Sequence, residues 1–149
     1  MSDQNTTTVP NAVKPAKPAK DPKDTTILIV EDEPMILDSY SEILSGEGGF
    51  NVLKAKDGAV GLELLAANKD KIDLMILDLM MPGVDGLMVL EAMQKEKDKY
   101  VGNFPIVVLT NLSSDRVIKE AFNRGATGYI MKTEMQPERM VEQVKKFLK

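Results

Sequence analysis

The stretch Leu74-Met75-Ile76-Leu77-Asp78 sets the strongest constraint on the fold. Four apolar residues follow one another without alternation and run straight into a carboxylate. A strand with one wet face alternates, whereas one covered on both faces does not. The run therefore predicts a strand inside a sheet with layers packed on both sides. Pro82-Gly83 and Asp85-Gly86 follow closely, a turn and then the start of a helix. Asp78 is expected where this core strand leaves the sheet. Taken alone, a carboxylate there could simply end the strand or cap a turn.

Two further runs share the pattern. Ile27-Leu28-Ile29-Val30 ends in Glu31-Asp32-Glu33-Pro34, and Ile106-Val107-Val108-Leu109 ends at Thr110. Phe50-Asn51-Val52-Leu53 and the stretch 127–131, ending at Lys132, read as shorter strands, and the Leu74 strand is expected over 72–77. Helical spacing fills the intervals. Pro34 suits a first turn, with Ile36, Leu37, Tyr40, Ile43 and Leu44 on one face and Gly46 at the end. Val60, Leu62, Leu64 and Leu65 follow Asp57-Gly58, and Leu87, Leu90 and Met93 follow Asp85-Gly86. Residues 95–103 read as a polar connection. The fourth helix carries Val117, Ile118, Ala121 and Phe122 before Gly125. The fifth, from Pro137, carries Met140, Val141, Val144, Phe147 and Leu148.

Five strands alternating with five helices imply an α/β fold. It is a doubly wound, five-stranded parallel sheet of order 2-1-3-4-5, the flavodoxin-like (βα)5 arrangement. Residues 1–24, rich in Thr, Pro, Ala and Lys, lack the apolar side chains to offset ordering and are expected to form a disordered tail; 25–149 is the domain.

In such a sheet, function lies beyond the carboxyl ends of the strands. There the sequence sets Glu31 and Asp32 after strand 1, Asp78 after strand 3, Thr110 after strand 4 and Lys132 after strand 5. Each has a plain structural explanation: helix-dipole acids, a helix-start hydroxyl, a solvated lysine tip. Asp57 and Asp85, each before a Gly, are assigned to helix caps. Polar groups at four strand ends together favour one site. Three close carboxylates repel unless a cation sits among them. Oxygen ligands alone select a hard ion, Mg2+ first, then Mn2+ or Ca2+. The chain has no Cys and no His, which excludes disulfides, thiolate sites and phosphohistidine chemistry of its own. A carboxylate such as Asp78 can still act as nucleophile toward phosphorus, with metal and lysine neutralising charge.

The four segments 29–34, 77–86, 109–110 and 125–132, in this order and spacing, resemble the response-regulator receiver domains of two-component signalling. The resemblance covers about 25–149 and implies roles residue by residue. Asp78 would be the phosphoacceptor. Asp32, Asp78 and the backbone carbonyl of Met80 would bind Mg2+, with Mn2+ possible, and Glu31 would assist. Lys132 would pair with the phosphoryl group. Thr110 would move toward it and Tyr129 would swing inward behind Thr110. This shift would remodel a face built from the fourth helix, fifth strand and fifth helix. The donor would be a histidine kinase or phosphotransfer protein, and the output another protein.

Two departures stand out. Thr133 follows Lys132 where the family usually has proline, so a cis bond there would cost about 3–4 kcal/mol and the loop is expected to be trans or strained. The segment 132–137 is about one residue longer than usual, with Gln136 a poor cap. Asn111 stands where a small residue is common. The net charge of −4 argues against a general nucleic-acid binder, and direct reading of DNA is not expected. No run approaches a membrane span, so a stand-alone cytoplasmic receiver is expected. Glu31-Asp32-Glu33 would repel a flavin phosphate. The competing reading is a pseudo-receiver that binds partners without phosphorylation, and its sign would be loss of Asp78, Thr110 or Lys132.

Overall fold

The computed structural model describes residues 20–111, 115–132 and 136–148. Five strands, β1 (Thr26–Val30), β2 (Asn51–Ala55), β3 (Leu74–Asp78), β4 (Ile106–Thr110) and β5 (Gly128–Met131), form one parallel sheet in the order β2-β1-β3-β4-β5. Among the described residues six α-helices accompany them: α1 (Pro34–Ser45), α2 (Gly58–Asn68), α3 (Gly86–Lys95), α4 (Lys97–Tyr100), α5 (Asp115–Asn123) and α6 (Pro137–Leu148). The fourth and fifth helices expected from periodicity are therefore α5 and α6.

The unbroken apolar runs have the meaning their pattern suggested. β3 and β4 are buried along their whole length, and β1 all but its first residue. Successive side chains divide between two cores. Leu28, Val30, Met75, Leu77 and Val108 pack under α2 and α3. Ile27, Ile29, Leu74, Ile76, Val107 and Leu109 pack under α1 and α6. β2, at the sheet edge, is half exposed.

Three local expectations change. The stretch 95–103 is not a plain connection: it contains α4, held because Tyr100 is buried in the first core. β3 begins at Leu74, not at residue 72. Ile72 is buried ahead of the strand, and Asp73 turns its carboxylate back to accept the Thr26 amide at 2.9 Å. Lys20–Asp24, tail by composition, pack on the domain. Pro22–Asp24 form a 3-10 turn, the Lys23 carbonyl accepts from the Asn51 side-chain amide, and Lys20 pairs with Asp73 at 3.0 Å. Local apolar content does not register such polar anchoring. The rest of the tail lies outside the described residues.

Candidate functional site

Asp78 is the last residue of β3, and its side chain points to the α1–α6 side, in step with Leu74 and Ile76. Glu31, just past β1, and Lys132, just past β5, fall on that side by the same alternation. The three meet. The Lys132 ammonium lies 2.8 Å from Glu31 Oε1, 3.3 Å from Asp78 Oδ2 and 3.7 Å from Glu33 Oε1. Glu31 and Asp78 are buried, and the Lys132 side chain is nearly so. Asp78 Oδ1 accepts the Met80 amide at 3.1 Å, and Glu31 Oε2 accepts the Glu33 amide at 3.0 Å. Glu31 Oε1 has the charge of Lys132 close by but accepts no well-aligned hydrogen bond.

The electrostatics follow from burial. Desolvation, then the negative charge of Glu31, pushes the Asp78 carboxyl up to about 7, and the Met80 amide and Lys132 only partly counter this. Burial alone would lower Lys132. Its contacts with Glu31 and Asp78 outweigh that and hold it above its usual value. The site thus contains more carboxylate than its own cation balances.

Glu31, Asp32 and Asp78 each present an oxygen, all within 4.8 Å of one another. An all-oxygen set, mutually repelling and including a buried oxygen without an aligned donor, fits a hard divalent cation, Mg2+ foremost.

The expected caps are present: Asp57 accepts from the Val60 amide and Asp85 from the Met88 amide. Gly86 matters differently. A Cβ there would stand 2.5 Å from the Asp78 carbonyl, so the start of α3 packs directly on the strand exit. Thr110 ends β4 fully buried and projects to the opposite side of the sheet from Asp78, in step with Val108. Tyr129, beside Val108 in register, shares that side and meets Phe122 of α5 edge to face at 6.3 Å. Tyr129 therefore adjoins α5, while Thr110 ends its strand one residue past the partner of Asp78 in register. The bond from Lys132 to Thr133 lies outside the described residues.

Two neighbours escaped the sequence reading. Glu33, read only as part of the acidic run before Pro34, also contributes charge near Lys132. Tyr40, read as one residue of a helical stripe, lies within electrostatic range of Lys132, Glu31 and Asp78. Nothing in the apolar periodicity separates Tyr40 from Leu37 or Leu44.

The family model of the response regulator receiver domain matches residues 27–145. The chain belongs to that family. Among curated receiver-domain relatives, it is 34% identical over 106 residues to the transcriptional activator protein PfeR of Pseudomonas aeruginosa, covering 71% of this chain and 32% of PfeR. It is 31% identical over 123 residues to the chemotaxis protein CheY of Treponema pallidum, covering 83% and 82%. The chain thus spans about a third of PfeR and most of CheY. The solved structure of the chemotaxis protein CheY4 of Vibrio cholerae superposes with a TM-score of 0.71 at 29% identity, covering 83% of this receiver and 98% of that chain. Among the described residues no helix of the receiver is long and apolar enough to cross a membrane.

Proposed function

We propose that this receiver accepts a phosphoryl group on Asp78 in the presence of Mg2+ and uses it to switch a protein-binding face. The observation that carries the reading is the convergence of Lys132 on Asp78 and Glu31 from three separate strand ends, at 3.3 and 2.8 Å. The donor is phosphohistidine on a histidine kinase or phosphotransfer protein of the cytoplasm, since this chain has no His. An Asp78 carboxylate oxygen attacks phosphorus in line. The phosphorus–nitrogen bond breaks, and its electron pair stays on the departing imidazole.

Glu31, Asp32, Asp78 and the Met80 carbonyl would hold the metal, which supplies positive charge for the phosphoryl oxygens. Lys132 shifts from the carboxylates to one of those oxygens, exchanging one charge-assisted contact for a stronger one. The new dianion offers Thr110 an acceptor. Tyr129, on the same side of β5 as Phe122, repacks behind it, and the face of α5, β5 and α6 changes shape. The output partner is a protein docking on that face. The module is a phosphoacceptor whose only chemistry is its own phosphorylation and dephosphorylation.

The test is incubation with Mg2+ and acetyl phosphate, read by intact mass. One phosphoryl adduct is expected, absent without Mg2+ and absent in Asp78→Asn. Equal adducts on the native protein and on Asp78→Asn would sink the assignment.

A further inference from the structure

Exposure rises in order across the charges gathered around Lys132. The side chains of Glu31, Asp78 and Lys132 are 0%, 1% and 8% exposed, whereas that of Glu33 is 61% exposed. Glu33 is therefore the outermost of the four. It stands on the solvent side, from which any phosphoryl donor must come.

The backbone and side chain of Glu33 serve different ends. Its amide donates to Glu31 Oε2 at 3.0 Å, and the residue is the N-cap of α1. Its carboxylate makes no capping hydrogen bond there. Instead Oε1 lies 3.7 Å from the Lys132 ammonium. That is an ion-pair distance but too long for a hydrogen bond. Glu33 thus acts on the lysine and its surroundings through its field, not by tethering.

The charges of the loaded site make that field unfavourable to an arriving anion. Among the described residues Glu31, Asp32 and Asp78 are the acids whose oxygens lie within 4.8 Å of one another. As carboxylates they carry three negative charges, and Lys132 with a bound divalent cation carries three positive ones. Those balance, so the charge of Glu33 is surplus. A phosphoryl oxygen held by the ammonium at about 2.8 Å lies no further than about 6–7 Å from the Glu33 carboxylate. At that separation each negative charge on a donor is repelled by about threefold in rate, even at the dielectric of water. The site is wet at this point, so salt screens the effect.

We infer that Glu33 is a specificity residue at the mouth of the site: it selects phosphoryl donors by charge, against dianions and in favour of donors that present a positive group beside the phosphorus. The inference rests on the phosphoacceptor reading of Asp78. A protein donor answers Glu33 with a lysine or arginine next to its phosphohistidine. A small acyl phosphate has no such group.

The experiment uses the full chain in saturating Mg2+ and compares native protein, Glu33→Gln and Glu33→Lys. Initial rates of adduct formation are read by intact mass with two donors. Acetyl phosphate is a dianion at neutral pH, whereas the protonated amino group of phosphoramidate leaves it one net negative charge. At low salt Glu33→Gln is expected to speed acetyl phosphate about tenfold and phosphoramidate about threefold, and Glu33→Lys to go further in the same order. In molar KCl both gains are expected to shrink toward one, and the thermal midpoint in chelator to stay near native throughout. Equal gains with both donors, or gains that persist in molar KCl, would mean that Glu33 restrains Lys132 and does not sort donors, and would overturn the inference. Native rates and a native donor ratio in both variants would overturn it as well, with the phosphoacceptor reading left standing. If the native protein forms no adduct with either donor, the reading of Asp78 fails and the role of Glu33 falls with it.

Discussion

Removing the negative charge of Asp78 is expected to stabilise the metal-free protein at alkaline pH, although on the proposed reading it would also abolish phosphorylation. Burial and Glu31 raise this carboxyl from 3.8 in the unfolded chain to about 7 in the fold. Between those values the native state binds more protons than the unfolded one, so stability falls as pH rises. The native protein therefore has its full stability with respect to this group below about pH 4. The loss is complete above about pH 7. The difference is about three pH units, each worth about 1.4 kcal/mol, which sets a ceiling near 4 kcal/mol. Lys132, held above its ordinary value, stays cationic throughout this window and contributes no slope of its own.

Asp78→Asn escapes that penalty but gives up attraction to the ammonium at 3.3 Å. A net gain of about 1–3 kcal/mol at pH 8 remains, or roughly 3–10 °C in thermal midpoint for a domain of this size. The assay is thermal unfolding of both proteins in chelator at pH 4.5 and pH 8. The variant is expected to melt higher at pH 8, with the two nearly level at pH 4.5. Millimolar Mg2+ at pH 8 is then expected to raise the native midpoint and leave the variant's unchanged. If Asp78→Asn melts lower than native at pH 8 in chelator, by as much as at pH 4.5, the buried acids are not in conflict and the reasoning is refuted.

Other expectations are more local. Asp73→Ala strips the acceptor from the Thr26 amide and the partner from Lys20, so urea unfolding should show a loss of about 1–3 kcal/mol with beryllofluoride affinity unchanged. Gly86→Ala drives a methyl toward the Asp78 carbonyl, 2.5 Å away, so both stability, by about 1–3 kcal/mol, and phosphorylation measured by mass should fall. Thr110→Val removes the hydroxyl and keeps the shape. The acetyl phosphate adduct should still form, while the NMR shift of Tyr129 on phosphorylation should shrink or vanish. Lys132→Met leaves Glu31 and Asp78 buried without their cation, and Mg2+-dependent adduct formation should drop at least tenfold on the scale of a lost charged contact.

The sheet was legible because covered strands must be continuously apolar, and β1, β3 and β4 obey that rule in their letters as in their burial. The site was legible because a parallel sheet delivers each strand end to one edge, so Glu31, Asp78 and Lys132 are collected by topology. What escaped depends on direction rather than type. α4 hides in a charged stretch because one residue, Tyr100, is buried. The polar clip through Lys20 and Asp73 hides because its partners are 53 residues apart. Tyr40 hides because a stripe of apolar spacing records which side of a helix faces inward, not which charges lie near it.

The same burial that strains Asp78 also couples the chemistry to metal and donor. A protonated carboxyl is a poor ligand and a poor nucleophile, and near neutral pH a carboxyl titrating at about 7 is protonated much of the time. Lys132 alone does not reverse this, because Glu31 claims it more closely, at 2.8 Å against 3.3 Å. Ionising Asp78 fully near neutral pH therefore requires another positive charge among Glu31, Asp32 and Asp78. A site with an exposed, freely ionised aspartate would be nucleophilic with or without a cation. On the proposed phosphoacceptor reading, this one is expected to be reactive only when loaded, its unloaded form resisting phosphoryl donors. That predicts a specific dependence. In chelator, adduct formation stays negligible even at pH 9, where Asp78 is ionised, because nothing then balances the incoming phosphoryl oxygens beside three acids. In saturating Mg2+, the rate rises with pH to a plateau reached well below 7, since the bound cation lowers the carboxyl's own titration. A midpoint that remains at about 7 in saturating Mg2+, measured by intact mass with acetyl phosphate, would mean that Asp78 is not among the ligands.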